Sequence, residues 1–294
     1  AVIGGKAMKL IYDCDNTIGI PGKDIDDGWT LLYLNQQPTV DLLGVTLTFG
    51  NGTVAQVQQQ TTLLAKMFAL SIDIYAGAEQ GETNKKTAAS QFLATTVRRY
   101  PHQVTILATG SLANLAAAAQ LEPDFFDLVQ QIVIMGGLFK PLTVNHFPVG
   151  ELNFSVAPAA VAQVITGGAP LMLASGQYLA TAIFGRRDLV LGNGSNRSQQ
   201  WLEHTISDWM KVTQQMWQVD GFVNWDGVTA LGLLQPELFE FETGYLAAPT
   251  PQLSKGMLQL APAKTQQPVK LLVKIKDLAQ VNQIFLQGLK AYFA

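Results

Sequence analysis

The chain has 294 residues, a formal net charge of −3, 48% hydrophobic residues and only 14% charged residues. This length suits one large α/β domain, and the charge argues against a nucleic-acid-binding protein, which needs clustered Lys and Arg. No apolar run approaches the roughly 20 residues that cross a bilayer. The composition therefore excludes a membrane span and favours a small-molecule substrate.

The first seven residues, AVIGGKA, lack the basic head and the long apolar stretch of a secretory signal. They are interpreted as a vector-derived remnant ahead of Met8, and a single domain is predicted over residues 8–294. Cys14 is the only cysteine, which excludes an intrachain disulfide and favours the cytoplasm. The apolar composition predicts a thick core or a subunit interface, and hence a homo-oligomer.

Short apolar segments alternate with stretches of helical period, which is the pattern of βαβ units. The predicted strands are residues 9–13, 40–48, 72–77, 104–110, 131–137 and 169–175. They are apolar at consecutive positions, as is typical of parallel strands that are covered on both faces. The pattern predicts an α/β fold with an open, mostly parallel sheet flanked by helices on both faces, in which ligands bind beyond the carboxyl ends of the strands.

Helices are predicted between and after these strands. Thr53 is the predicted N-cap of a helix over 53–69, and Ser111 that of a helix over 111–120. Later elements are a Trp-rich helix from about residue 198, a helix beginning near Asp226, a strand over 269–275 and a helix over 278–293. The irregular segment 186–197 is predicted to form a mobile flap near the site.

Aspartates concentrate where the first strand ends and the next helix begins. Asp13 and Asp15 follow the strand, and Asp24, Asp26 and Asp27 open the helix. A hard divalent cation with oxygen ligands would relieve the repulsion among these carboxylates. The alternative interpretation is that Asp24 caps the helix while Asp26 and Asp27 only favour its dipole.

This arrangement resembles the amino-terminal signature of the inosine-uridine-preferring nucleoside hydrolases, in which a strand ends in Asp-x-Asp and Asp-Asp begins a helix. Further segments resemble the family in the same order: LLGVTLTFGN (42–51), IDIYAGA (72–78), LATGSLANLAAA (107–118), LEPDFFDLVQQIVIMGG (121–137), ELNFSVAPAAVAQVI (151–165) and NWDGVTAL (224–231). The resemblance covers residues 9–234 and implies a Rossmann-like fold, a homodimer or homotetramer, and calcium-dependent hydrolysis of the N-glycosidic bond of ribonucleosides.

The resemblance also implies a role for each carboxylate. Asp15 would bind calcium and accept a proton from the attacking water, which makes it the catalytic base. Asp27 and Asp226 would be further calcium ligands, and Ile134 would contribute its backbone carbonyl. Asp13 would support these ligands without touching the ion.

The same resemblance implies a set of residues that bind the substrate. The set consists of Asp26, Asn51, Asn145, Glu151 and Asn153 for ribose, and of Trp225 for the base. Glu151 and Asn153 alternate along the chain, so both side chains point the same way if the segment is extended. Taken singly, each Asn fits a loop residue that bonds to nearby backbone.

The sequence departs from the family pattern in two places. Residues 16–25 form a longer loop between the aspartate pairs, which leaves the role of Asp24 open. Trp225 stands where many members have a histidine that protonates the departing base. Tryptophan is no acid, but it can stack on a purine ring, which favours purine nucleosides as substrates; packing in the core is the alternative role of Trp225. Three further tryptophans could add to this stacking wall, but their eight-residue spacing favours packing in the core or an interface; they are Trp201, Trp209 and Trp217.

Two other functions are compatible with parts of the sequence. Asp13 to Thr17 also fits the DxDxT motif of haloacid-dehalogenase-type phosphatases, in which Asp13 would be the nucleophile and Mg²⁺ the metal. That motif predicts paired acidic residues after a later strand, whereas IVIMGG follows here. A non-catalytic ribose- or nucleoside-binding protein is the second alternative.

Overall fold

The computed structural model describes residues 7–82, 85–192, 194, 196–262 and 268–293. The strands are β1 (Met8–Cys14), β2 (Val40–Leu47), β3 (Ile74–Ala76), β4 (Val104–Ala108), β5 (Gln131–Met135), β6 (Leu142–Val144), β7 (Phe147–Val149), β8 (Leu171–Ala174), β9 (Ile183–Gly185), β10 (Gly221–Val223), β11 (Phe239–Tyr245) and β12 (Pro268–Ile275).

The α-helices are α1 (Asp26–Asn35), α2 (Val54–Met67), α3 (Ala88–Arg99), α4 (Ala113–Leu121), α5 (Phe125–Leu128), α6 (Pro158–Thr166), α7 (Gly176–Leu179), α8 (Arg197–Trp217), α9 (Trp225–Leu234) and α10 (Leu278–Leu289). Short 3₁₀ turns cover Arg186–Asp188, Pro236–Leu238, Pro251–Lys255 and Lys290–Tyr292. No described helix is both long and apolar enough to cross a membrane.

Eight strands form the main sheet in the order β11-β12-β8-β5-β4-β1-β2-β3. Every neighbouring pair is parallel except β11 and β12, which are antiparallel. The predicted mostly parallel sheet is therefore confirmed, and each predicted strand corresponds to one of these eight. The antiparallel edge strand β11 and the two short hairpins, β6-β7 and β9-β10, were not predicted.

Helices cover both faces of the sheet. Along β1, Leu10 and Tyr12 belong to one buried cluster, whereas Ile11 belongs to the other. The first cluster includes residues of α1, α8, α9 and α10, and the second includes residues of α3, α4 and α6. Because successive side chains of a strand point to opposite faces, this division explains the uninterrupted apolar runs in the sequence.

One of the two predicted helix caps is correct. Thr53 caps α2 by accepting a hydrogen bond from the Gln56 amide, and the Gln56 side chain completes the capping box. The predicted cap by Ser111 is wrong, because α4 begins after Leu112 and has no side-chain cap. The Ser111 hydroxyl instead lies 2.5 Å from the Thr48 hydroxyl, in a buried pair that joins the segments after β4 and β2, the two strands on either side of β1.

Residues 193 and 195 of the predicted flap over 186–197 lie outside the described ranges. Arg186 bonds to Asp220 at 2.9 Å, and Leu191 is buried in the core. The described residues of this segment do not line the cavity of about 330 Å³ that opens at the carboxyl ends of the central strands, called the main cavity below.

Candidate active site

A cavity of about 330 Å³ opens where the central parallel strands end. Residues that follow β2, β4 and β5 line it, among them Asn51, Thr109 and Gly136. The cavity has an acidic end with Asp24, Asp26 and Asp226, and an aromatic wall with Trp209, Trp217 and Trp225. Its position is the one that an open parallel sheet favours for ligands.

Three buried aspartates meet at the acidic end. Asp26 and Asp27 begin α1, Asp226 lies in the first turn of α9, and one carboxylate oxygen of each lies within 4.8 Å of the others. Oδ2 of Asp26 accepts a hydrogen bond from the backbone amide of Asp226 at 3.1 Å. The two helix starts thus bring together carboxylates that are 200 positions apart in the sequence.

Asp15 lies directly beside this triad. Its backbone amide donates to Oδ1 of Asp27 at 3.2 Å, and its own Oδ2 accepts from the backbone amide of Asn51 at 2.5 Å. Gly50 and Gly110 pack against the carboxyl group, and a methyl group at Gly50 would collide with Oδ2. The carboxylate of Asp15 is therefore held in one orientation by the ends of two neighbouring strands.

Asp13 lies behind these groups and is fully buried. Its Oδ2 accepts hydrogen bonds from the Thr46 hydroxyl at 2.6 Å and from the Asn114 side-chain amide at 2.9 Å. Asp13, Asp15 and Asp27 are all buried and absent from the described residues that line the cavity, which Asp24, Asp26 and Asp226 border directly. Asp13 differs from Asp15 in that its carboxylate bonds to Thr46 and Asn114, away from the triad, which suits a supporting role better than that of a nucleophile.

Burial raises the pKa of every carboxyl group in this cluster. It raises the pKa of Asp13 to about 7 and the pKa of Asp15 to about 6. For Asp26, Asp27 and Asp226 the charges of neighbouring aspartates raise the pKa further, well above its ordinary value. Within the described chain, no ion pair joins these carboxylates to Lys or Arg.

Converging carboxylates without a counter-charge are a good fit for a hard divalent cation. Such ions prefer oxygen ligands, and their charge offsets the cost of burying several anions together. One carboxylate oxygen from each of Asp26, Asp27 and Asp226 lies within 4.8 Å of the other two, so all three can bind the same ion. Asp26, which the family resemblance assigns to ribose, thus stands in this triad, whereas Asp15 is adjacent to it.

Asp24 lies at the edge of the acidic end, at the close of the long loop 16–25. Its Oδ1 accepts from the backbone amides of Ile25 at 2.7 Å and Asp26 at 3.4 Å. The loop is anchored by the buried side chain of Ile18 and by a bond from the Thr17 hydroxyl to the Asp24 carbonyl. Asp24 lines the cavity but stands outside the triad.

The residues assigned to ribose by resemblance separate into two groups. Asn51, Glu151 and Asn153 line the cavity together with Asp26. The Asn153 amide donates to the carbonyls of Thr109 and Met135, and Glu151 accepts from three backbone amides, those of Gly137, Phe154 and Ser155.

Asn145 is the exception in the predicted ribose-binding set. It is exposed, lies in a turn with φ of 45°, and donates to the carbonyl of Trp217 at 2.8 Å. Its side chain therefore binds the end of α8, and Asn145 is not among the described residues that line the cavity. Ile134 lies near the carboxyl end of β5 between Ala108 and Leu173, and its side chain is buried.

Three tryptophans form the aromatic wall of the cavity, namely Trp209, Trp217 and Trp225. The predicted core packing of Trp209 and Trp217 is confirmed, because Trp209 is buried in the core cluster and Trp217 packs against it, and both also line the cavity. Trp201 packs edge-on against Phe68 instead. The sequence interpretation missed Thr109, Met135 and Lys23, although Thr109 directly follows a strand end and was available to the same argument that selected Asn51.

Comparison with known proteins agrees with this geometry. Residues 10–282 match the model of the family described as "Inosine-uridine preferring nucleoside hydrolase". A relative from Oryza sativa subsp. japonica, named "Probable uridine nucleosidase 1", is 28% identical over 277 residues, which cover 84% of this chain and 83% of the relative.

Solved structures show the same fold. A plant nucleoside hydrolase superposes with a TM-score of 0.82 at 23% identity, covering 97% of this chain and 99% of the other. A purine-preferring ribonucleoside hydrolase from Gardnerella vaginalis gives a TM-score of 0.82 at 18% identity, with coverages of 97% and 98%. Given the family match over nearly its whole length, this chain belongs to the inosine-uridine-preferring nucleoside hydrolase family.

Proposed function

We propose that this protein hydrolyses the N-glycosidic bond of ribonucleosides to ribose and free base, with calcium held at the carboxylate cluster. The observation that carries the proposal is the buried meeting of Asp26, Asp27 and Asp226 at the end of a cavity beside Asp15. The family match and the naming of a relative as a uridine nucleosidase support it.

Asp15, Asp27 and Asp226, with the carbonyl of Ile134, are the proposed calcium ligands. A bound calcium ion would lower the pKa of a water molecule and neutralise the carboxylates. Asp26 contacts the ribose hydroxyls in this proposal, although its position in the triad also fits a direct bond to the ion. Asn51, Glu151 and Asn153 would orient the sugar, and Asp13 would hold the strand end in place.

Asp15 is the proposed general base. It accepts a proton from the attacking water while the water oxygen bonds to the anomeric carbon and the C1′–N bond breaks. The amide of Asn51 fixes its carboxylate at 2.5 Å, so the acceptor oxygen needs no reorientation. As the sugar gains positive charge, the surrounding carboxylates stabilise it.

The aromatic wall supports a preference for purines. Trp209, Trp217 and Trp225 line one cavity, and an indole can stack on a bicyclic base over a larger area than on a pyrimidine. The uridine nucleosidase relative makes pyrimidine nucleosides the competing substrates. The cytoplasmic location, the single domain over 8–294 and the homodimer or homotetramer stay predictions.

The deciding experiment incubates the protein and Ca²⁺ with inosine, adenosine, guanosine, uridine or cytidine and assays free ribose. We expect ribose release that falls by about 10²- to 10⁴-fold in Asp15→Asn. Asp41→Asn, an exposed aspartate on β2, is the matched control. Tight ribose binding without turnover would point to a binding protein, and phosphate release from phosphomonoesters would point to a phosphatase.

A further inference from the structure

The family resemblance leaves the departing base without a proton donor, because Trp225 occupies the position of the usual histidine. The chain has three histidines, and none of them is among the described residues that line the cavity. His204 pairs with Asp208 at 3.1 Å, and both line a smaller neighbouring cavity between the loop 16–25 and α8 rather than the main one. Stacking on the tryptophans supplies no proton, so a donor for the departing base has to be sought among the other side chains that border the cavity.

We infer that Lys23, in the loop 16–25 that departs from the family pattern, stabilises and protonates the departing base. The inference rests on the proposed function. Among the described residues that line the cavity, Lys23 is the only Lys, Arg or His. The acidic side chains there are poor alternatives, since Glu151 and Asp24 already accept backbone N–H bonds.

Lys23 lies on the same side of the cavity as the aromatic wall. Lys23 and Trp209 line both the main cavity and a smaller one of about 180 Å³ between the loop and α8. Residues at the other end of the main cavity, such as Asp226, are absent from the described lining of the smaller one. A base that stacks among the tryptophans would thus be within the region that Lys23 borders.

The loop is held firmly enough to present Lys23 in one place. The backbone amide of Lys23 donates to the Ile20 carbonyl at 3.2 Å, and the Ile20 amide donates to the Thr17 carbonyl at 3.0 Å. Ile18 is fully buried, and Gly19 packs so tightly on Trp201 that a methyl group there would lie 2.9 Å from the indole. The loop is therefore docked on α8.

The ammonium group of Lys23 is free to meet a ligand. No ion pair among the described residues involves Lys23, whereas Lys211 on α8 is paired with Asp208 at 2.8 Å. A lysine carries three donor protons on a flexible stem, so it can reach a ring nitrogen in more than one pose.

The proposed step balances in atoms and charge. The C1′–N bond breaks and its electron pair stays on the base nitrogen, while the oxygen of water forms the new bond to C1′. One proton of that water goes to Asp15, and one proton of the Lys23 ammonium goes to the base. Proton exchange with solvent then restores both side chains. A positioned donor of this kind contributes about 10²- to 10⁴-fold to the rate.

The test compares two substrates that differ in their need for a proton. Inosine releases a base that must be protonated, whereas 4-nitrophenyl β-D-ribofuranoside releases a stable phenolate. We expect Lys23→Met to lower kcat for inosine by about 10²-fold or more and to leave hydrolysis of the nitrophenyl riboside close to wild type. Lys23→Arg, which keeps the charge and the donors, should retain much of the inosine activity.

Lys66→Met, an exposed lysine on α2, is the matched control. Thermal unfolding checks the fold of every variant, and Lys23→Gln replaces Lys23→Met if that variant is unstable. Equal loss on both substrates, or no loss on either, overturns the role of Lys23 while leaving the hydrolase intact. Failure of the wild-type protein to release ribose from any nucleoside overturns the proposed function itself.

Discussion

The backbone amide of Asp226 donates a hydrogen bond to the Asp26 carboxylate at 3.1 Å, which joins the first turn of α9 to the first turn of α1. Both helix starts carry buried aspartates, and each helix dipole favours negative charge at that end. The helix dipoles and this hydrogen bond lower the free-energy cost of burying the three carboxylates. They do not supply the full positive charge that would balance them.

Asp226→Asn should raise the stability of the metal-free protein and lower its activity, because the triad would bind the metal at a cost in folding free energy. The substitution removes one buried charge and keeps the backbone amide that bonds to Asp26. We expect the Tm of the metal-free protein to rise by about 2–4 °C and ribose release to fall by at least about 100-fold. Calorimetry and the ribose assay measure the two effects, with the exposed Asp73→Asn as control. A fall in Tm together with full activity would contradict the proposed metal site.

The pH dependence of the metal-free protein has a definite sign. In the folded state the pKa is about 7 for Asp13 and about 6 for Asp15, against an ordinary value of 3.8. The folded protein therefore binds more protons than the unfolded chain, and the free energy of unfolding falls as the pH rises through these values. With a chelator present, we expect a higher Tm at pH 6 than at pH 8.

Added Ca²⁺ should reverse this trend, because protons and the cation compete for the same oxygens. The rise in Tm caused by Ca²⁺ is expected to be larger at pH 8 than at pH 6. Titrations at constant ionic strength separate this effect from general screening of charge. Equal increments at both pH values would argue against binding at the aspartates.

Trp225→Ala should act on the choice of base. Loss of a stacking partner costs about 0.5–1.5 kcal/mol, or roughly 2- to 12-fold. We expect kcat/KM for inosine to fall by this factor relative to kcat/KM for uridine, and Trp225→Phe to recover part of it. Competition between the two nucleosides in one assay gives the ratio directly. An unchanged ratio would mean that Trp225 packs against its neighbours without contacting the base.

Gly50→Ala should reduce activity by displacing the Asp15 carboxylate, and the positive φ of Gly50 adds backbone strain. An added methyl group at Gly50 would meet Oδ2 of Asp15, the oxygen that accepts the Asn51 amide. The carboxylate must rotate, and displacements of this size at a catalytic base cost about 10²-fold in rate. The circular dichroism spectrum should stay native while kcat drops. Wild-type kcat in a folded Gly50→Ala variant would show that this orientation of Asp15 is dispensable.

The sheet and the aspartates that follow β1 could be predicted from the sequence, because both depend on residues that are close together along the chain. Apolar runs mark strands, and parallel strands place their carboxyl ends at one edge, so the site was expected beyond those ends, where Asp15 and Asn51 meet. The meeting of Asp27 with Asp226 was inferred only by family resemblance, since nothing local connects residues that are about 200 positions apart.

Tertiary contacts decide features that local sequence does not. The family resemblance assigns Asn145 to ribose, and in the structure the left-handed turn of the β6-β7 hairpin directs its amide to the last turn of α8, so its part in ribose binding stays a prediction. Trp209 and Trp217 pack in or against the core as predicted, and they also line the cavity. An aromatic cavity wall and a core have the same helical periodicity, so the spacing alone does not separate these two roles.

Cys14 stands between Asp13 and Asp15, its thiol is buried, and the chain has no second cysteine. Burial raises the pKa of this thiol, so alkylating reagents can reach it only when the first strand end detaches from the sheet. Cys14 is thus a built-in probe of local opening next to Asp15, the proposed catalytic base. The rate at which the thiol is labelled reports how often this end of the molecule opens, and a nucleoside or ion that closes the cavity should slow that rate.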